Sequence, residues 1–244
     1  MRARLGRFCT EFGERPLAEI GTGALEGWLQ RLDVGEQSLV NYRRVVGGLF
    51  NFGMKRGWCG KNPASAVEMP RVDETMPAFL TAKSAEALLR TAEAEEPKMA
   101  AYFALGLFAG LRPSNELRGL RWENVDLEEG ELRVDPATSK RRRTRIVTVG
   151  ANLKAWLRRY GGTEGPVFYS RRAFRRVVAS SGVEWSVDVM RHTFATFHLA
   201  MWGDAAKTSL QLGHSGAPSV LFNHYRGLAR KKEAERFWGI GPGG

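Results

Sequence analysis

The feature that most limits this fold is a break in its pattern. Between Asn62-Pro63 and Met76-Pro77 the chain carries three prolines and few periodic apolar residues. Proline disrupts helix interiors and central strands, so the stretch reads as a linker. Before it, apolar residues recur at helical spacing, and helices are expected at 2–12, 23–32 and 36–56. The last of these carries Leu39, Tyr42, Val45, Val46, Leu49 and Phe52 on one repeat, with Ser38 near its start and Gly57 beyond its basic end. After the break, helices are expected at 81–95, 98–109, 113–119, 151–160, 170–181, 188–201, 205–212, 217–224 and 228–237. Leu80-Thr81 opens the first of these, and Pro113 suits a first helical position. Two β-branched runs, 131–134 and 144–149, flank the basic loop around Lys140-Arg141-Arg142-Arg143 and read as a hairpin. The expectation is a mainly α chain with a small antiparallel sheet (α+β): a helical domain at 1–68, a linker at 69–78, a second domain at 79–238 and a tail at 239–244.

Charge narrows the partners. Among 244 residues, 37 Lys and Arg face 26 Asp and Glu, a net charge of +11, while 43% apolar residues suffice for a core. Such an excess in a foldable chain points to a polyanion, nucleic acid first, against the plainer reading of a protein that is simply basic. Cys9 and Cys59, without a CxxC or a neighbouring His, exclude a zinc module by ligand count and read as small buried hydrophobes in a reducing cytoplasm. No metal and no cofactor is expected. The sequence holds neither an apolar run of roughly 18 residues nor a signal-peptide core, so no membrane partner and a cytoplasmic location are expected. The chain starts inside what reads as a helix, as it would if an N-terminal segment were missing.

Four segments of the second domain carry chemistry. In Gly110-Leu111-Arg112-Pro113-Ser114-Asn115-Glu116-Leu117, Arg112 lies between two helices where free N–H groups also favour an anion; the plainer reading is a surface pair with Glu116. Ser139-Lys140 sits at the hairpin tip, where a lysine can enter a DNA groove and deliver a proton. For most of Arg141 to Arg145 a solvated run or phosphate contact is the better reading. In Asp188-Val189-Met190-Arg191-His192-Thr193, the Arg191 guanidinium can hold two phosphate oxygens, and His192 reads as a supporting or packing residue. Finally, Leu212-Gly213-His214 presents His214 at a helix end, and Tyr225 follows 11 positions later. Singly, such a His or Tyr is usually structural.

Taken in order, GLRPSNEL, SK before a strand, RHTFAT, LGH and a downstream Tyr resemble the tyrosine recombinases, the phage integrase family, over about residues 79–238. The 23 residues from Arg191 to His214 also suit that family. The resemblance implies a helical core-binding (SAM-like) DNA-binding domain at 1–68 and a catalytic domain after it. It implies that Arg112 and Arg191 clamp the scissile phosphate, that Lys140 protonates the leaving 5′-oxygen and that His214 donates a hydrogen bond to the phosphate. Tyr225 would attack to give a 3′-phosphotyrosyl link, which conserves the ester and needs neither ATP nor metal. Arg141, Arg142, Arg143, Arg43 and Arg44 would contact DNA phosphates. The partners implied are duplex DNA and a homo-tetramer on paired sites, exchanging a C-terminal segment such as 228–237; packing of that helix on its own domain is the alternative.

One position departs from the pattern. The family commonly has His-x-x-Arg where this chain has Asp188-Val189-Met190-Arg191. Asp188 could act as base for Tyr225, orient Arg191, or mark a weakened enzyme; orienting Arg191 is slightly favoured, because Asp–Arg pairing has a simple electrostatic reason. Two further functions stay open at this stage: a catalytically impaired DNA-binding remnant or regulator, and a type IB topoisomerase, which relaxes DNA without a partner site.

Overall fold

The computed structural model describes residues 1–72, 76–138, 144–213 and 218–243. The chain forms two compact units, residues 1–75 and 76–244.

The first unit holds three helices, α1 (Arg2–Phe12), α2 (Thr22–Gln30) and α3 (Glu36–Lys55). Aromatic rings fill its centre: Trp28 meets Phe8 edge-on at 5.6 Å and Tyr42 at 5.8 Å, the geometry that ring quadrupoles prefer. Part of the stretch read as linker belongs here. Asn62 caps a short 3-10 turn, Pro63–Ser65, and donates to the Gly47 carbonyl, while Ala64 and Val67 join the core. Cys59 is buried as expected, but Cys9 is exposed, because it follows the buried Phe8 by one helical step.

The second unit opens with α4 (Ala82–Glu95), whose cap is Thr81, its hydroxyl accepting the Ser84 N–H at 3.1 Å. Next comes α5 (Pro97–Phe108), buried at every position from Met99 to Phe108. A helix buried all round, as this one is, forms the centre of its domain. Strands β1 (Val125–Asp126), β2 (Glu131–Val134) and β3 (Arg145–Thr148) make an antiparallel sheet in that order, with Leu132 opposite Val147 and Val134 opposite Arg145. Alternation along β2 and β3 turns Leu132, Val134 and Val147 inward.

Helices α6 (Ala151–Tyr160), α7 (Arg171–Ser181), α8 (Val189–Trp202), α9 (Ala205–Leu212), α10 (Pro218–Tyr225) and α11 (Lys231–Trp238) complete the unit. The last helix packs on its own unit in this single chain: Phe237 stacks on Phe197 at 4.4 Å, and the Trp156 indole donates to the Ile240 carbonyl. Among the described residues no helix is long and apolar enough to cross a membrane.

Candidate active site

The site grows from one local irregularity. Arg112 precedes Pro113, which forces it into extended backbone (φ −67°, ψ 120°). The chain then makes a single π turn, Pro113–Leu117, closed by the Leu117 N–H donating to the Arg112 carbonyl at 3.0 Å. The sequence had pointed to a regular helix over 113–119. The wide turn brings Glu116 back over Arg112, so that its carboxylate accepts the Arg112 N–H at 2.9 Å and the Arg112 guanidinium at 2.6 Å.

Glu116 has no exposed side-chain surface, and it gathers further cations. Arg145 forks both its oxygens at 2.9 Å each, and Arg191 Nη1 lies 3.8 Å from Oε2. Burial alone would raise this carboxyl. The hydrogen bonds from Arg145 and the Arg112 N–H, with the charges of both arginines, bring it down to about 2 instead. One carboxylate against three guanidiniums leaves local positive charge, of which Arg112 exposes the largest part at 20%. That is the balance an anion such as a phosphate would complete.

Arg191 is fixed from α8 by backbone as well. Its Nη1 donates to the Gly110 carbonyl at 2.7 Å and its Nη2 to the Leu212 carbonyl at 2.5 Å. Gly110 has φ +62°, and a Cβ there would lie 2.5 Å from the Phe194 ring, so glycine is required where the chain delivers this acceptor. Gly213 (φ +63°) leaves room for Arg145, since a Cβ there would lie 2.5 Å from its guanidinium. Burial, then the positive charge of Arg112, lowers Arg191 to about 9, opposed by Glu116; it stays protonated at neutral pH.

Tyr225 closes α10 and is 8% exposed. Its hydroxyl lies 2.7 Å from Nδ1 of His192, the residue after Arg191 on α8. Burial raises the Tyr225 phenol and Asp188 adds to the rise, while the nearby charge of Arg191 pulls it down. His192 is lowered, chiefly by burial, with Arg191 and His224 adding and Asp188 opposing.

Two expectations change and a third is narrowed. Asp188 does not orient Arg191: among the described residues neither a hydrogen bond nor an ion pair joins them, and Arg191 is held by Gly110, Leu212 and Glu116 instead. Arg145 is no surface phosphate contact but a buried brace. His192, read as a supporting or packing residue, takes the supporting place, as the hydrogen-bond partner of Tyr225. For Arg145 a signal existed, since it shares strand parity with the inward Val147. Arg43 is half tied into the first unit, its Nε donating to the Ala64 carbonyl at 2.8 Å, whereas Arg44 is exposed. Lys140, Arg141, Arg142, Arg143 and His214 lie outside the described residues. Among the described residues no three His, Cys, Asp or Glu side chains cluster as metal ligands would.

Known proteins place the chain in a family. Residues 78–232 match the phage integrase family, and the chain belongs to it. The tyrosine recombinase XerD of Pseudomonas aeruginosa is 28% identical over 223 residues, covering 80% of this chain and 74% of that protein. The tyrosine recombinase XerC of Xylella fastidiosa is 30% identical over 215 residues, covering 80% and 72%. A lambda integrase dimer bound to a COC' core site shares the fold with a TM-score of 0.71 at 18% identity, over 93% of this chain and 88% of that one. A lambda integrase tetramer bound to a Holliday junction gives 0.69 at 18% identity, over 92% and 71%.

Proposed function

We propose that this chain is a site-specific DNA recombinase that cuts and rejoins duplex DNA through a 3′-phosphotyrosyl intermediate at Tyr225. The observation that carries the reading is the buried Tyr225 hydroxyl beside an imidazole, on the helix next to one whose Arg191 shares Glu116 with Arg112. Phosphoryl transfer passes through a five-coordinate phosphorus whose oxygens carry extra negative charge. Arg112 and Arg191, pre-fixed by Glu116 and backbone carbonyls, stabilise that charge more than they stabilise intact DNA. Arg145 acts by holding Glu116. Lys140 serves as the acid for the leaving 5′-oxygen, and His214 as a hydrogen-bond donor to the phosphate. Arg141, Arg142, Arg143, Arg44 and the free face of Arg43 supply sequence-independent phosphate contacts, so affinity falls steeply with salt.

The protein works in the cytoplasm as a homo-tetramer on two DNA sites, an assembly like that of the lambda integrase tetramer on its Holliday junction. The test uses a pool of nicked duplexes with randomised sequence around the nick, in which the cut end diffuses away and cleavage cannot reverse. Covalent protein–DNA adduct from the natural chain, absent in Tyr225→Phe, is the expected result. DNA binding without adduct would identify a DNA-binding remnant instead, and relaxation of any supercoiled plasmid would identify a topoisomerase.

A further inference from the structure

We propose that His192 is the catalytic base of this chain, taking the Tyr225 proton on Nδ1 and so filling the vacancy left where Asp188 stands in place of the family's histidine. The inference rests on the reading of Tyr225 as nucleophile. A phenol has one proton to donate, and Nδ1 of His192, at 2.7 Å, is its hydrogen-bond partner among the described residues. In the tautomer that carries its proton on Nε2, the neutral imidazole presents an Nδ1 lone pair to the phenol proton. This distance already lies within the range a base needs before it can act.

The neighbours fit the role. His192 is half-buried, and burial favours its neutral, accepting form, while Arg191 on α8 and His224 on α10 push the same way. Asp188, one helical turn before His192, pushes the other way. It sits in the left-handed region (φ 59°), which Asp tolerates better than most residues, and its carbonyl accepts the His192 N–H at 2.9 Å. Its negative charge therefore favours the imidazolium at the moment the proton arrives. Asp188 is thus a charge-balancing residue for the base, acting through its charge.

The step balances. The Tyr225 O–H bond breaks and its proton passes to Nδ1. The freed electron pair forms the O–P bond, the P–O5′ bond breaks, and the 5′-oxygen takes a proton from Lys140, the acid in the reading above. On rejoining, a 5′-hydroxyl gives its proton back to Lys140 and its oxygen bonds to phosphorus, the P–O bond to Tyr225 breaks, and the imidazolium returns its proton to the phenol oxygen.

The test measures single-turnover cleavage of the nicked duplexes against pH for the natural chain, His192→Asn and His192→Ala, with Tyr225→Phe alongside. Asparagine can hold the phenol by a hydrogen bond but cannot accept its proton, so a merely structural His192 would be rescued by it. We expect both His192 variants to bind DNA normally and to cleave about 10²–10⁴-fold more slowly at neutral pH, recovering as pH rises toward phenol ionisation or when imidazole is added. Cleavage within threefold of the natural rate in His192→Asn, with Tyr225→Phe inactive, would overturn the base and leave the nucleophile standing. Absence of adduct from the natural chain would overturn both.

Discussion

Arg145 grips both oxygens of Glu116, at 2.9 Å each, across 29 positions of sequence. This fork joins strand β3 to the π turn that carries Arg112, so the sheet is structurally coupled to the site. Removing the carboxylate strands three guanidiniums with no anion between them. Taking one partner from a buried ion pair costs on the order of 3–5 kcal/mol. Glu116→Ala should lower the unfolding midpoint of the second unit by roughly 10 °C and suppress adduct formation. A shift under about 2 °C in differential scanning calorimetry would show that the arginines do not depend on this carboxylate.

The charge of Asp188 sets where the base becomes available. Because that charge raises the pKa of His192, Asp188→Asn lowers it. The neutral imidazole then persists to more acidic pH. The acid limb of the cleavage profile should therefore move to lower pH, while the rate on the plateau falls as the imidazolium loses its counter-charge. Were the limb to move up, the coupling of Asp188 to His192 would be contradicted; were it to vanish, as for a variant lacking its base, Asp188 itself would be the proton acceptor.

A second histidine ties stability to pH. His198 is buried against Trp202 at 4.3 Å, with Nδ1 2.7 Å from the Thr208 hydroxyl. That hydroxyl already donates to the Asp204 carbonyl, so Nδ1 carries the proton that joins them. Burial, with Lys207 nearby, lowers His198 to about 4. Between its ordinary value and that one, the unfolded chain binds the extra proton, so stability is complete above about pH 6.5 and is lost as pH falls toward 4. The loss should approach about 3 kcal/mol. Glu116 adds to the loss only further down, between its ordinary range and about 2. Unfolding midpoints read across this range should fall for the natural chain and flatten in His198→Asn; parallel curves would contradict the assignment.

Much of this was written in the sequence, and the exceptions share a cause. Helix positions followed from periodicity, and Arg112, Arg191 and Tyr225 from motif order, because each depends on near neighbours in the chain. The π turn did not follow, since a helix of the usual pitch and one wide turn share a proline start. Glu116 and Arg145 became a pair only through strand register, and His192 found Tyr225 across 33 positions and two helices. The left-handed backbone at Asp188 is legible only from coordinates, because a positive φ at a residue other than glycine has no period to reveal it.

The central claim is that a phenol oxygen at position 225 becomes bonded to DNA phosphorus. The most direct measurement is mass spectrometry of the trapped adduct after protease and nuclease digestion. The account predicts a nucleotide joined through its 3′-phosphate to the side chain of Tyr225. A nucleotide on any other residue, or adduct that survives Tyr225→Phe unchanged, would contradict it.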